Sequence, residues 1–185
     1  MDRTHLFVGD LHGNWPRYVL TKNYADRHNM QAVYVGDYTD SYEFDTSDDI
    51  CLLKFIRHDL KNSDNPGVYL RGNHDWGHIN HKRHQCSGQS KNKRKDIRPK
   101  LLGMFNQMQD YYVIDDILVT HAGLSYNLRD ILKKTKNIED ISHFLDGYLT
   151  NKDLEKERTL HVSPDQSRHL GNPLFTDKGI TWNRP

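Results

Sequence analysis

Short apolar runs recur along the chain and predict four β-strands. They cover residues 4–8, 32–35, 68–70 and 117–120, and each runs into glycine or polar residues. Short runs rich in β-branched and aromatic residues, bounded in this way, are typical of strands in a buried sheet. The intervals between the runs are long enough for helices, so their order indicates a chain that alternates between strand and helix.

Amphipathic segments between the apolar runs predict the helices. Residues 16–29 are the first candidate, and Ser47 is the predicted N-cap of a second helix that continues through Leu60. Further helices are predicted at 101–108, 126–134 and 138–149. Together with the apolar runs, these segments predict an α/β fold.

The length and charge of the chain fit one domain over residues 1–185. The formal net charge is +1, hydrophobic residues make up 35% of the chain, and the mean hydropathy is −0.88. Balanced charge gives no reason to expect nucleic acid as a partner. The sequence has neither a signal peptide nor an apolar run long enough to span a membrane, so we expect a cytoplasmic protein with no membrane partner.

Two cysteines, Cys51 and Cys86, are too few for a disulfide framework. Cys51 falls in a helical apolar pattern and is predicted to pack in the core. Cys86 falls in a polar segment. We expect neither thiol to bind a metal ion.

Polar side chains follow every predicted strand. Gly9, Gly36 and Gly72 accompany them and are expected to let the backbone turn sharply. Taken singly, an aspartate after a strand is more often a cap or turn residue, and a lone histidine is more often packed or solvated. The carboxyl ends of parallel strands, however, meet at one edge of a sheet, where functional groups gather. The side chains expected there are Asp10, His12, Asp37, Asp40, Asn73, His74, Asp75 and His121.

Four motifs at these strand ends occur in a distinctive order: GDLHG at 9–13, GDYTD at 36–40, GNHD at 72–75 and THAG at 120–123. This set resembles the calcineurin-like metallophosphoesterases. Within them it is similar to the branch of phosphoprotein phosphatases, bacteriophage lambda-type phosphatases and diadenosine tetraphosphate hydrolases. The resemblance spans residues 6–185 and implies a four-layer α/β/β/α sandwich. The aspartate that ends the third motif points to bacterial and phage relatives.

The resemblance implies a pair of divalent metal ions. Asp10 and His12 would hold the first ion, Asp37 would bridge the two, and Asn73 and His121 would hold the second. Carboxylate, imidazole and amide ligands suit Mn²⁺, Fe²⁺ or Zn²⁺, and we expect Mn²⁺. Ions held roughly 3.5–4 Å apart clamp a phosphoryl group and supply a hydroxide that attacks phosphorus.

The same resemblance implies the remaining roles. His74 corresponds to the general acid, and Asp40 corresponds to the carboxylate that orients it. Arg71 and Arg184 correspond to arginines that bind the substrate phosphate. A purely structural role for His74, in which it caps a turn, remains an alternative. The leading function is phosphomonoester hydrolysis, including the serine/threonine protein phosphatase type.

One departure leaves the substrate open. Ser41 and Tyr42 stand where protein phosphatases of this family carry arginine and glycine, so one phosphate-binding cation is missing. The substrate is a phosphorylated protein, a nucleotide or a small molecule. Two alternatives remain: hydrolysis of dinucleoside polyphosphates, and a catalytically weak module that binds metal.

Residues 78–100 form a basic segment with eight Lys or Arg residues against one Asp. We interpret it as a solvated, mobile loop. A contribution to binding anionic substrates and a nucleic-acid patch are the alternatives. A third metal site formed by His78, His81 and His84 is a further, less favoured interpretation.

Relatives carry one more metal ligand in a late GH motif, beyond a region that resembles the WNRP stretch at 182–185. This sequence has no such motif. We therefore expect a C-terminally incomplete domain with an incomplete second sheet and a weakly held second metal ion.

Overall fold

A computed structural model describes residues 3–81 and 86–122. The chain divides into two compact units, residues 1–110 and residues 111–185. The helices predicted at 126–134 and 138–149, together with Arg184 and His84, lie outside the described residues. The four-layer arrangement remains a prediction.

A parallel sheet organises the first unit. Its strands are β1 (His5–Val8), β2 (Gln31–Tyr34) and β3 (Val68–Tyr69), in the order β1-β2-β3. The register pairs Val8 with Tyr34 and Tyr34 with Tyr69, and Leu70 extends the third strand through a single bridge to Gln109. The predicted strands are therefore present within one or two residues of their bounds, and the α/β prediction is confirmed.

Helix α1 (Trp15–Arg27) connects β1 to β2. Its N-cap is Asn14, whose side-chain oxygen accepts a hydrogen bond from the Arg17 N–H at 2.9 Å. Pro16 fits the first turn because no intrahelical partner is needed there. The helix ends two residues before the predicted Asn29, which adopts a left-handed φ of +52° beyond the last turn.

Helix α2 (Thr46–Asn62) connects β2 to β3. Its N-cap is Asp45, so the prediction of Ser47 was wrong. The Asp45 carboxylate accepts from the backbone N–H groups of Ser47 and Asp48, and Asp48 accepts in return from the Asp45 N–H. Because this reciprocal capping box begins the helix at Asp45, Ser47 does not act as the N-cap, and its hydroxyl donates to Asp45.

Two further helices correct the interpretation of the basic segment. Helix α3 (Asn73–Ile79) follows β3 directly, and helix α4 (Lys91–Leu102) begins at the N-cap Ser90. The basic loop prediction was therefore wrong for residues 78–79, which end α3 with His78 buried, and for residues 91–100. In α4, Ile97 and Leu101 are one turn apart and bury one face of the helix. No separate helix forms at the predicted 101–108: residues 101–102 end α4, and Phe105–Gln107 form a short 3₁₀ turn. Among the described helices, none is long and apolar enough to cross a membrane.

A hairpin forms the described part of the second unit. Strand β4 (Tyr111–Ile114) pairs antiparallel with β5 (Ile117–Thr120) in a separate sheet. Two residues connect the strands, and Asp115 there has a φ of +48°. The bounds of β5 agree with the prediction. The sequence pattern missed β4, however. It therefore placed a helix before β5, where the structure has the first strand of a hairpin.

A buried polar cluster lies between α1, α2 and β3. Asp59 of α2 accepts hydrogen bonds through Oδ2 from the Gly67 N–H at 2.7 Å and the Tyr69 hydroxyl at 2.6 Å. Its Oδ1 lies 3.3 Å from Nζ of Lys22 on α1. The Tyr69 hydroxyl also lies 2.9 Å from the hydroxyl of Tyr18. These contacts fix both helices against the end of the sheet at which β3 begins.

Candidate metal centre

Backbone hydrogen bonds join the loops that follow β1 and β2. The carbonyl oxygen of Asp37 accepts from the N–H of Leu11 at 3.2 Å and of His12 at 2.9 Å. The carbonyl oxygen of Tyr38 accepts from the N–H of Gly13 at 2.8 Å. Because β1 and β2 are parallel, both loops leave the same edge of the sheet. The first two sequence motifs therefore lie side by side.

Asp75 attaches the third motif to the second. Its Oδ2 accepts from the backbone N–H of Asp37 at 3.0 Å and of Gly72 at 2.8 Å. Its Oδ1 accepts from the N–H of Tyr38 at 3.2 Å. The side chain is fully buried, so these bonds are protected from water. The sequence placed this aspartate among the polar side chains at the strand ends, but its role in joining the two motifs was missed.

The glycines of the motifs serve different purposes. Gly36 has a φ of +116°, a conformation that other residues rarely adopt. A Cβ on Gly72 would collide with the backbone and carboxylate of Asp37, so the close approach of these loops requires glycine. Gly9 has an ordinary φ and open space around its Cα. The prediction of a glycine-dependent turn was therefore wrong at Gly9.

Three predicted site residues have a left-handed backbone. The φ angles are +41° at His12, +53° at Asp37 and +72° at Asp40. Such angles are uncommon for residues other than glycine and persist only where the surrounding structure enforces them. The hydrogen bonds between the motif loops provide that enforcement. Backbone strain of this kind clusters at functional sites.

Asp10, His12 and Asp37 converge at the ends of β1 and β2. Nε2 of His12 lies 3.9 Å from Oδ2 of Asp10 and 4.0 Å from Oδ2 of Asp37. Nδ1 of His12 lies 2.7 Å from the carbonyl oxygen of Thr39, so Nδ1 carries the proton and donates it. This bond fixes the tautomer in which Nε2 presents a lone pair, as ligating histidines require.

The donor set fits a divalent cation. Two carboxylates and one imidazole nitrogen provide ligands suited to Mn²⁺, Fe²⁺ or Zn²⁺. The Asp37 side chain is 5% exposed whereas that of Asp10 is 49% exposed, so the group is anchored on one side and accessible on the other. An ion held here by Asp10, His12 and Asp37 would also be reachable by a substrate.

Asn73 and His121 lie beyond the ends of β3 and β5. Asn73 is the first residue of α3 and is buried; its side-chain amide donates to Sγ of Cys86 at 3.4 Å. The Cys86 thiol donates in return to the carbonyl oxygen of Asn73 at 3.3 Å, and burial raises the pKa of this thiol to about 12. His121 directly follows β5 in the second unit and is half-buried.

His74 and Asp40 form a buried pair. Nδ1 of His74 lies 3.0 Å from Oδ2 of Asp40, and the His74 ring packs edge-on against that of His12 with 5.1 Å between centroids. Burial opposes a charge on His74. The hydrogen bond to Asp40 and the nearby charge of Asp37 outweigh burial, so the pKa of His74 is raised above its ordinary value. Because the Asp40 carboxylate accepts hydrogen bonds, Nδ1–H of His74 is directed at it, which leaves Nε2 for another partner.

Asp40 has further partners that sequence analysis missed. Nε2 of His78 lies 3.0 Å from both carboxylate oxygens, and the Gln89 amide donates to Oδ2 at 2.8 Å. Nζ of Lys93 lies 3.6 Å from Oδ1. Burial raises the pKa of Asp40, but the hydrogen bonds from both histidines outweigh it and hold that pKa well below its usual range. One signal was visible: His78 follows His74 by four residues, which places both on one face of a helix.

Arg71 contacts protein acceptors through its guanidinium. It forms an ion pair with Asp110 at 2.7 Å and donates to the carbonyl oxygens of Phe105 and Met108. The side chain is 14% exposed. Of its five N–H groups, four are directed at these acceptors, so a phosphate could be met by the remaining N–H alone. Its predicted substrate contact remains a prediction, as does that of Arg184.

Comparison with known protein families agrees with the motifs. A sequence profile of the calcineurin-like phosphoesterases matches residues 4–180, almost the whole chain. No individually curated protein matches it. The profile match extends through every motif at the strand ends. The chain therefore belongs to the calcineurin-like phosphoesterase family, whose members are generally metal-dependent phosphoesterases.

Proposed function

We propose that this chain is a phosphomonoesterase of the phosphoprotein phosphatase and lambda-type branch that works with two divalent metal ions. The observation that carries the proposal is the convergence of three donors. Nε2 of His12 lies within 4.0 Å of carboxylate oxygens of both Asp10 and Asp37, in the tautomer that binds metal. The His74–Asp40 pair lies beside them, so metal ligands and a proton donor share one site.

The ligand roles follow the chemistry of the side chains. Asp10 and His12 would hold one ion, Asp37 would bridge both, and Asn73 and His121 would hold the other. When bound, the ions would activate a water molecule and neutralise charge on the phosphoryl oxygens. Mn²⁺ is the proposed metal because oxygen donors outnumber nitrogen donors and no thiolate takes part.

His74 would supply the proton that the leaving group needs. The phosphorus–oxygen bond breaks as the water oxygen bonds to phosphorus, and the leaving oxygen takes the proton from Nε2 of His74. Asp40 accepts a hydrogen bond from Nδ1–H and stabilises the positive charge of the ring before transfer. Solvent then restores the proton to Nε2.

An exposed aromatic ring favours one alternative substrate class. Tyr42 is 82% exposed, two residues after Asp40. The preceding Ser41 accepts through Oγ from the N–H groups of Glu43 and Phe44, which fixes a tight turn. An exposed tyrosine can stack on a nucleobase. Hydrolysis of dinucleoside polyphosphates is therefore the second candidate function.

A matrix of metals and substrates tests the proposal. The metal-stripped protein is loaded with Mn²⁺, Fe²⁺, Zn²⁺ or Mg²⁺ and assayed on an aryl phosphate, a phosphoserine peptide and a dinucleoside tetraphosphate. We expect turnover of the monoesters that is greatest with Mn²⁺ and abolished by a chelator. Faster cleavage of the dinucleotide would support the second candidate. No turnover in any cell of the matrix, with metal bound, would contradict both.

A further inference from the structure

Asp40 has more partners than its proposed role with His74 requires. Its side chain is fully buried, and a single hydrogen bond from His74 occupies only part of Oδ2. Nε2 of His78 lies 3.0 Å from both oxygens of the carboxylate, so this ring spans the end of the group. A carboxylate contacted in this way cannot rotate without breaking one of these bonds.

His78 itself is placed as a donor. The ring is completely buried in α3, and its Nδ1 has no hydrogen-bond partner in the part of the chain that the structure describes. The unpartnered Nδ1 leaves Nε2 as the nitrogen that carries the proton in the neutral ring and donates it to Asp40. An unsatisfied buried nitrogen costs stability, so an apolar side chain would serve better if His78 only filled space.

The helix brings the two rings to one carboxylate. His74 and His78 are four residues apart on α3, a spacing that puts them on the same face. Gln89 closes the arrangement, because its amide donates to Oδ2 of Asp40 at 2.8 Å and to the carbonyl oxygen of His74 at 2.9 Å. Lys93 pairs with Asp49 at 2.8 Å and adds positive charge near Oδ1.

We propose that His78 is a positioning residue for the general acid, acting through Asp40, a role that rests on the proposed hydrolysis. By donating to both oxygens, His78 holds the carboxylate so that Oδ2 meets Nδ1–H of His74. The orientation of Asp40 then fixes the ring of His74, and Nε2 stays directed at the leaving oxygen. Partners of this kind in metal and acid–base sites set ring orientation and tautomer.

A matched pair of variants at position 78 tests whether the side chain must reach Asp40 or need only be polar. In His78→Gln the side-chain amide nitrogen takes the place of Nε2 and can still donate to Asp40. In His78→Asn the amide nitrogen takes the place of Nδ1 and falls short. His58→Asn, at an exposed position of α2, is the control for histidine loss in general.

Rates on phosphate esters of increasing leaving-group pKa give the first readout. We expect His78→Asn to lose on the order of 10-fold in kcat/KM on alkyl esters and much less on activated aryl esters. His78→Gln should stay near the wild type. In the His74→Asn background, His78→Asn should add no further loss. Equal losses on all esters, or losses that multiply in the double variant, would overturn the proposal.

Nitrogen-15 NMR of the histidine rings gives a readout that needs no activity. In the wild type, His78 should show the Nε2–H tautomer, and His74 should keep its proton on Nδ1. His78→Asn should shift or broaden the His74 ring signals, whereas His78→Gln should not. The opposite tautomer of wild-type His78, or unchanged His74 signals in the Asn variant, would overturn the proposal. A wild type inactive with every metal would reject the proposed function, and the NMR result would still decide the coupling.

Discussion

Two buried aspartates, Asp40 and Asp59, show how similar burial can serve different ends. Each accepts several hydrogen bonds and lies near a lysine. Asp59 sits in the regular backbone of α2 and binds a backbone N–H and a tyrosine hydroxyl, groups that do not change their charge near neutral pH. Asp40 is a loop residue with a left-handed backbone, and its carboxylate binds two imidazoles.

The surroundings of the two carboxylates distinguish a structural role from a functional one. A buried carboxylate with several donors is by itself only a way to fix neighbouring elements, as at Asp59. At Asp40 the backbone is strained, a titratable partner lies beside His12, a proposed metal ligand, and the loop leaves the carboxyl end of a parallel strand. The four predictions that follow test whether the two regions divide between activity and stability in this way.

The largest effect is expected at the proposed bridging ligand. Asp37→Asn removes the charge that would hold both ions but keeps a side-chain oxygen that can accept from the backbone N–H of His74. We expect hydrolysis to fall below detection, while Asp59→Asn stays within a factor of about three of the wild type, because Asp59 contacts Gly67, Tyr69 and Lys22, which are not proposed site residues. Steady-state kinetics on an aryl phosphate compares them. Comparable losses in both variants would remove the distinction between the two regions.

A smaller and selective effect is expected at the proton donor. His74→Asn should slow esters with poor leaving groups by on the order of 10² or more, and activated aryl esters less, because only the former need a proton in the transition state. The measurement is the dependence of log kcat/KM on leaving-group pKa. If His74 only capped a turn, as the alternative interpretation holds, the loss would be the same for every ester.

Two glycine variants test the packing of the motif loops. Gly72→Ala should cost about 1–3 kcal/mol of unfolding free energy, because the new methyl group displaces Asp37. Gly9→Ala should change it by no more than about 0.5 kcal/mol, because nothing lies within 4 Å of the new Cβ. Urea unfolding of both variants gives the comparison. A tolerated Gly72→Ala would show that the loops are not closely packed.

The smallest effect on chemistry belongs to the second aspartate. Asp59→Asn should lower the free energy of unfolding by about 1–3 kcal/mol, since an amide nitrogen would face Lys22 or the hydrogen-bond donors. Asp64→Asn, at an exposed position nearby, is the control and should have little effect. Urea unfolding monitors stability. A stable Asp59→Asn with reduced activity would contradict the structural role assigned to this cluster.

Much of the fold of the first unit could be predicted from local patterns. The apolar runs place all three strands of the parallel sheet, because buried strands are short and bounded by glycine or polar residues. The basic composition of α4 misled the interpretation of 91–100, since the buried positions Ile97 and Leu101 are few among many charges. Strand β4 was missed because its neighbours Asp115 and Asp116 form a turn that has no glycine.

The candidate site likewise contains residues that the sequence motifs predicted and residues that they missed. The proposed metal ligands Asp10, His12 and Asp37 follow strands in recognisable motifs, so the sequence alone could nominate them. His78 and Gln89, which contact Asp40, lie after the motifs and reach that carboxylate only through the fold. Their spacing is set by helix and loop geometry, which a strand-end pattern does not contain.

Direct binding of metal tests the central claim, that the strained strand-end loops form a metal centre. Metal-stripped wild type, Asp37→Asn and Asp59→Asn are titrated with Mn²⁺ in a calorimeter under identical conditions. We expect tight binding by the wild type and by Asp59→Asn, and weak or absent binding by Asp37→Asn. Binding by Asp37→Asn as tight and with the same stoichiometry as in the wild type would contradict it.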